Sequence, residues 1–350
     1  MILRLTKEVI KLLLLILIFL YPPVQVKAQN ECTAALERAE NLFDQGIIEE
    51  IPVILAGCLK NGFSREDKMR AQKLMILSYL FDNKIEEAEK TILNFLDDNP
   101  EYKIKSTDPA EFASLFSRFR TIPYLSAGVL IGGNLSLPHM LEQYGPFNSI
   151  REKGTYSYET IDFQIGAGLN FFLGNSLELN IESLFIRNSF VYSNLQYGFA
   201  QIYKKETYQK FEFPVSLSLD LGKGRWKPYL RLGGSYGIIM HAESNYEREY
   251  INTGSAYYSP LETYGINISE RRKEYSFSAV GGGGIKYKIP RGHLYFDIRY
   301  FYSLTHLVIP DNRWEDELIY TYYHADSDFI VDYLTFSVGL RYSFYKSKKL

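Results

Sequence analysis

Residues 330–344 read Ile-Val-Asp-Tyr-Leu-Thr-Phe-Ser-Val-Gly-Leu-Arg-Tyr-Ser-Phe, and their alternation decides the fold. Ile330, Leu334, Phe336, Val338, Leu340, Tyr342 and Phe344 fall on one parity, and Val331, Tyr333, Thr335, Ser337, Gly339, Arg341 and Ser343 on the other. A period of two is the strand period, because successive side chains point to opposite sides of the pleat. One face is apolar and aromatic, while the other is mostly small, polar or charged. Whether the apolar row faces a core or faces lipid decides what the chain can do.

The same alternation recurs upstream. Ile161, Phe163, Ile165, Ala167, Leu169 and Phe171 alternate with Asp162, Gln164, Gly166, Gly168 and Asn170. Leu177, Leu179, Ile181 and Phe185 alternate with Glu178, Asn180 and Glu182, and Phe211, Phe213, Val215, Leu217 and Leu219 with Glu212, Ser216, Ser218 and Asp220. Leu230, Leu232, Tyr236 and Ile238 alternate with Arg231, Gly233, Ser235 and Gly237, and Leu294, Phe296, Ile298, Tyr300 and Tyr302 with Tyr295, Asp297, Arg299 and Ser303. Eight strands are expected, beginning near Tyr124, Tyr158, Leu177, Gln209, Tyr229, Tyr275, His293 and Ile330.

Short turn signals lie at Leu173-Gly174-Asn175, Gly222-Lys223-Gly224-Arg225 and Ile289-Pro290-Arg291-Gly292. Long polar, tyrosine-rich stretches lie between them, at about Leu137–Thr155, Leu195–Glu206, Ser244–Lys273 and Ile309–Ser327. Alternating short and long connections are the pattern of a transmembrane β-barrel with short periplasmic turns and long outer loops. Each run also exceeds the roughly 9–11 residues that a tilted strand needs to cross a bilayer. A soluble barrel would bury the apolar row and cover its outside with Lys and Glu; here the polar row is mostly Gly, Ser and Asn with isolated charges. Small residues and mixed charges suit a narrow interior, so the apolar row is assigned to lipid.

The expected fold is therefore mainly β, an eight-stranded antiparallel transmembrane barrel over residues 121–350 with a small helical domain before it. Asp162, Glu178, Glu182, Glu212, Arg231, Lys286, Asp297, Arg299 and Arg341 then share the interior, where unpaired charge is costly and ion pairing is expected. An interior this narrow is just wide enough for side chains to fill it, which favours a polar plug over a selective pore. Tyr257, Tyr258, Trp314 and Tyr322, in the long connections, are candidate outer contacts.

The chain's start reads as a targeting segment, residues 1–28. Arg4, Lys7 and Lys11 precede the apolar run Leu12–Leu20, and Val26-Lys27-Ala28 offers small residues at the two positions a signal peptidase reads. A retained anchor is the alternative, but the run is about half of the roughly 20 residues a membrane helix needs. No Leu-Ala-Gly-Cys motif precedes Cys32, so no N-terminal lipid anchor is expected. With Lys plus Arg at 39 and Asp plus Glu at 41, the balance gives no support for nucleic-acid binding. The only cysteines, Cys32 and Cys58, are expected to form a disulfide in an oxidising compartment.

Residues 29–105 read as helical hairpins. Leu36, Ala39, Leu42 and Phe43 share one helical face ended by Gly46, and Ile51, Ile54, Leu55, Cys58 and Leu59 form a second stripe ended by Asn61-Gly62. Ser64 is placed to N-cap a third helix carrying Met69, Leu74, Leu77 and Leu80. A fourth, from about Ile85 to Leu96, carries Ala88, Ile92, Leu93 and Leu96. In residues 106–120, a short helix after Asp108-Pro109 carries Phe112, Leu115, Phe116 and Phe119, which predicts docking on a neighbour, the barrel's rim being one candidate.

Chemistry is sparse. The five histidines, His139, His241, His293, His306 and His324, show no metal-ligand spacing. His306 near Ser303, and His324 beside Asp326 and Ser327, are the pairs a rim-sited lipid enzyme would recruit. Neither has the spacing of a known motif, and no enzyme activity, metal or cofactor is expected. Gly281–Gly284 lies mid-strand, where glycines permit bending and close contact, and is not a phosphate loop.

Two resemblances follow. The hairpin carrying Tyr79, Ala88, Ile92 and Pro100 resembles a tetratricopeptide repeat, although Gln72 and Ile76 depart from its aromatic and small positions. Such hairpins usually present a groove to a protein partner. The stretch from Tyr124 to Phe344 resembles the PorT-like, "outer membrane protein beta-barrel domain" proteins. The resemblance rests on Ser126-Ala127-Gly128-Val129, Phe211-Glu212-Phe213-Pro214-Val215 and Val338-Gly339-Leu340-Arg341-Tyr342. It implies an outer-membrane barrel, some of whose relatives serve a protein-secretion machine. The reading taken forward is a structural and interactive outer-membrane protein. Its partners are lipid and a periplasmic or envelope protein, with a small-solute channel and a rim-sited lipid enzyme as rivals.

Overall fold

The structure, a computed structural model, describes residues 26–144, 154–158, 160–196, 200–222, 224–251, 260–314, 320 and 324–350. The expected targeting segment lies outside these apart from residues 26–28, which begin a helix. The chain forms two compact units, one of residues 1–122 with 346–350 and the other of Pro123–Tyr345.

The first unit is helical: α1 (Val26–Asp44), α2 (Ile51–Asn61), α3 (Arg65–Phe81), α4 (Ile85–Asp98) and α5 (Ala110–Phe116). Gly46 supplies the positive φ of +79° after α1, a region that disfavours any side chain. Ser64 caps α3 by accepting from the Asp67 N–H at 3.1 Å. Leu36, Ala39, Ile51, Leu55, Ala71, Leu74 and Met75 bury one core across α1–α3. Ile76, Ala88, Ile92, Phe95, Phe112 and Leu115 bury a second across α3–α5, joined by Phe119 just beyond them. The α5 segment thus docks on the helical hairpin α3–α4, and residues 106–120 belong with the helices. Cys32 and Cys58 are joined in a disulfide between α1 and α2. The chain's C-terminal residues also lie in this unit: Leu350 N–H donates to Arg118 O at 2.8 Å and Ser347 Oγ to Asp97 at 2.6 Å.

The second unit is one antiparallel sheet, whose first strand begins and last strand ends in residues of the first unit. Its long strands are β1 (Phe119–Glu142), β3 (Asp162–Phe172), β4 (Leu177–Gln196), β5 (Ala200–Asp220), β6 (Trp226–Tyr250), β8 (Tyr275–Ile289), β9 (Gly292–Ser303) and β10 (Asp328–Lys349). Two short strands, β2 (Thr155–Ser157) and β7 (Leu261–Asn267), pair with β4 and β6. Hydrogen-bonded neighbours run β2-β4-β3-β1-β10-β9-β8-β6-β5, and β4 also pairs with β5, so the path turns back on itself.

Several expected loops are strand. The β4–β5 ladder continues from Leu177↔Leu219 to Gln196↔Ala200, and the β5–β6 ladder reaches Ala200↔Tyr250. Residues 195–206 and 244–250 lack an apolar face, so their period was hidden. Their Tyr, Ile and Thr nevertheless favour extended chain, and ladder partners were already in register. A register shift at Gln209/Lys210 lets Met240 project outward, 60% exposed, and exchanges the parity of β6 above it.

Candidate functional site

Burial in the sheet is inverted relative to a water-soluble protein. Leu232 is 74% exposed and Val338 49%, whereas Glu182 is 4% and Arg299 1% exposed. The apolar parity of every long strand read above points away from the polar one, which is buried. Large exposed apolar belts mark contact with something apolar, and here the belt follows all the strands.

Inside, near the short turns, the charges neutralise one another. Glu182 accepts from Arg231 at 2.8 Å and from Arg299, and Arg341 stands 3.9 Å away. Asp297 pairs with Arg299 at 2.9 Å and Arg231 at 3.4 Å, and it accepts from the Tyr229 hydroxyl at 2.6 Å. Glu178 pairs with Lys286 at 2.7 Å and Arg341 at 3.3 Å, while Lys286 also reaches Asp220 at 2.7 Å. Four carboxylates thus face four cations, as burial requires. Glycines make the room: a Cβ on Gly168 would lie 2.7 Å from Glu182 Cγ, and one on Gly339 2.3 Å from Tyr295 Cζ.

Of the expected interior residues, Glu178, Glu182, Arg231, Asp297, Arg299 and Arg341 meet here with Lys286. Two others stand apart. Asp162 accepts from Ser189 Oγ at 2.6 Å, and Glu212 accepts from Tyr333 at 2.7 Å and Lys210 at 2.9 Å.

Around the Lys210–Glu212 pair above this cluster the interior is largely apolar, which the parity reading missed. Leu130, Leu184, Ile186, Val280, Phe301 and Tyr333 pack together, and higher up Phe190, Tyr208, Ile239, Phe329 and Val331 pack with Ile268, Leu307 and Val308. Leu184, Ile186 and Phe190 continue the inward row of Glu178 and Glu182. They share the parity of those carboxylates, but as apolar residues they do not extend the polar row in the sequence pattern. A cavity of about 20 Å³, room for a water molecule, remains among Asn188, Lys210, Ser276, Ser278 and Ser303.

Nearer the long connections lies a second set of charges. Lys204 and Glu206 of β5 meet Arg272 and Asp326, all but absent from the surface. His324 lies 3.5 Å from Asp326 and 3.4 Å from Lys204, while Ser327 Oγ accepts from the Tyr144 N–H. His306 is exposed, and Ser303 Oγ donates to Thr305 O. Of the groups a rim-sited lipid enzyme would recruit, His324 and Asp326 thus stand together, while Ser303 and Ser327 hydrogen-bond to backbone groups instead. No group of three potential metal ligands occurs among the described residues. Trp314 is 48% exposed, with Tyr144 edge-on at 6.4 Å; Tyr257, Tyr258 and Tyr322 lie outside the described residues.

No curated protein matches the chain. Among solved structures, it is similar to Neisserial surface protein A, with 13% identity, 63% of this chain and 97% of that one covered, and a TM-score of 0.31. It is likewise similar to the outer membrane protein OprG from Pseudomonas aeruginosa, with 12% identity, coverages of 63% and 97%, and a TM-score of 0.31. The outer membrane protease OmpT from Escherichia coli gives 9% identity, coverages of 64% and 98%, and a TM-score of 0.34. TM-scores this low carry no argument by themselves. The family model described as "Outer membrane protein beta-barrel domain", however, matches residues 112–308, which is more than half of the chain. With the strand ladders and their outward apolar rows, this makes the protein a member of the outer membrane β-barrel domain family and places it in the outer membrane.

Proposed function

We propose that the eight long strands close into a filled barrel that anchors and presents the helical unit, rather than conducting solutes. The single observation carrying this reading is the balanced cluster around Glu182, backed by the apolar layers above it. Together they occupy the space a pore would need. An even number of strands puts both ends of the barrel on the short-turn side, so the helical unit would stand in the periplasm, where its disulfide is favoured. Its tetratricopeptide-like hairpins would there hold a periplasmic or envelope protein, in a non-enzymatic role accessory to envelope assembly or protein secretion. Residues 1–28 would be the signal that sends the chain there.

Planar-bilayer recording on the purified full chain tests the filled interior: no steady current is expected, and a reproducible ion-selective conductance would overturn it. Site-specific crosslinking from α1–α4 in intact cells tests the second half. A discrete adduct lost on deleting residues 29–105 supports the reading, and labelling by a periplasm-excluded reagent opposes it.

A further inference from the structure

At the end of the sheet carrying the long connections, described segments of those connections fold back onto the buried side. Around the short 3-10 helix Ser269–Arg271, Arg272 forms an antiparallel bridge with Val308. Lys273 N–H donates to Leu307 O at 2.8 Å, Ile309 N–H to Arg271 O at 3.1 Å and Leu307 N–H to Phe329 O at 3.3 Å. Asn312 Nδ2 donates to Glu270 O at 2.8 Å. The undersides of these segments, Ile268, Leu307 and Val308, are buried on the apolar layer, and Leu307 lines the small cavity.

Four charges tie these segments to the wall in a closed circuit. Lys204 Nζ is 2.6 Å from Glu206, Glu206 is 2.7 Å from Arg272, Arg272 is 2.8 Å from Asp326, and Asp326 is 2.5 Å from Lys204. Lys204 and Glu206 belong to the wall; Arg272 and Asp326 belong to the infolded chain. All four side chains are 0–1% exposed. The hydroxyl of Tyr208, a residue that also lines the cavity, accepts from Arg272 Nε at 2.8 Å and donates to Glu206.

Buried ion pairs add little stability over well-packed apolar side chains, but losing one member leaves uncompensated charge at a large cost. One layer below, the same interior is packed mainly with apolar side chains around the Lys210–Glu212 pair. A circuit of alternating charge in place of such packing makes closure all-or-none. We propose that residues 268–273, 304–314 and 324–327 form a latched cap, held shut by the Lys204–Glu206–Arg272–Asp326 circuit, which controls access to the cavity beneath. This rests on the closed-barrel reading and adds to it a closure that is conditional.

The test uses the purified full chain in detergent, whose native cysteines are both in the disulfide. Ser278→Cys reports on the cavity through its rate of modification by a small, charged methanethiosulfonate. With the circuit intact the thiol should be protected. Glu206→Gln or Asp326→Asn should raise the rate at least tenfold, whereas Glu178→Gln, in the separate cluster near the short turns, should leave it unchanged. Heat-modifiable gel mobility identifies the folded variants. No acceleration in either folded latch variant, or equal acceleration by Glu178→Gln, overturns the proposal. Hydrogen exchange on the unaltered protein needs no variant: the Lys273, Leu307 and Ile309 amides should open together, before those of β9. Exchange only in step with β9 would also overturn the latch. A conductance in the unaltered protein would instead strike the filled barrel, so the two failures are distinguishable.

Discussion

The helical unit and the strand unit sort their side chains in opposite ways. Among the helices Ile92 and Phe95 are fully buried, and Arg70 meets Glu40 at 2.7 Å on the surface. In the sheet Arg299 meets Glu182 in the interior, and Leu232 stands outside. One polypeptide thus obeys both rules within a few residues of a boundary at 122/123. Burial follows the solvent, and the medium around the strands is the one in which leucine is at home. At about 25 cal/mol per Å², an apolar belt on every strand would be untenable in water.

The largest break in this contrast should come from the ion pairs. Glu182→Gln leaves three buried guanidiniums short of their carboxylate and is expected to cost about 3–5 kcal/mol. Glu40→Gln removes an exposed pair and should cost less than about 1 kcal/mol. The two tryptophans, Trp226 and Trp314, both lie in the strand unit, so their fluorescence follows that unit in denaturant titrations from lipid vesicles. Helical circular dichroism follows the other. Equal costs for the two substitutions would erase the distinction between interiors.

Next in size is the apolar surface itself. Leu232, six residues into β6 and 74% exposed in its apolar row, should lose about 2–4 kcal/mol as Leu232→Arg if it faces the middle of the bilayer. Val53, 79% exposed on α2, should change by less than about 0.5 kcal/mol as Val53→Arg. A tolerated Leu232→Arg would mean that the exposed row meets water after all.

What could be read in advance follows from the same contrast. Phe211 to Leu219 announced a strand because lipid on one side and a polar interior on the other impose a strict period of two. Leu184, Ile186 and Phe190 did not announce an apolar interior layer, since an apolar residue on the polar parity looks like noise until its neighbours are known. Phe95 was missed in α4 because Leu96 beside it satisfied the helical stripe equally well. Arg272 and Asp326 are 54 residues apart and sit in stretches with no period, so only the folded chain brings them together.

A smaller effect separates the two units by their crosslink. Cys32→Ser with Cys58→Ser frees a loop with a sequence separation of 26, worth about 3.5 kcal/mol on the chain-entropy estimate. The helical transition should shift and the tryptophan transition should not. A matched shift of both would show that the units unfold as one.

The smallest and most selective test concerns Asp108, the polar centre of the helical unit as Glu182 is of the strands. Its carboxylate accepts from Lys73 at 2.6 Å, Tyr102 at 2.7 Å and the Lys105 N–H at 2.8 Å. Burial pushes its pKa up, but these three donors outweigh burial and hold it below the usual carboxylate value. Burial and the Asp108 hydrogen bond together push the Tyr102 hydroxyl up, so it stays a neutral donor. A depressed folded pKa contributes stability that is complete above the unfolded value of roughly 4 and is lost as pH falls through the folded one. Asp108→Asn should therefore cost about 1–2 kcal/mol at neutral pH. The gap to the unaltered protein should narrow as pH falls below about 4 and close only below the depressed folded value, where the native carboxylate is protonated too. The helical transition alone should carry this pH dependence. A gap that persists in acid would mean that Asp108 acts through shape, and that charge is buried to structural effect only among the strands.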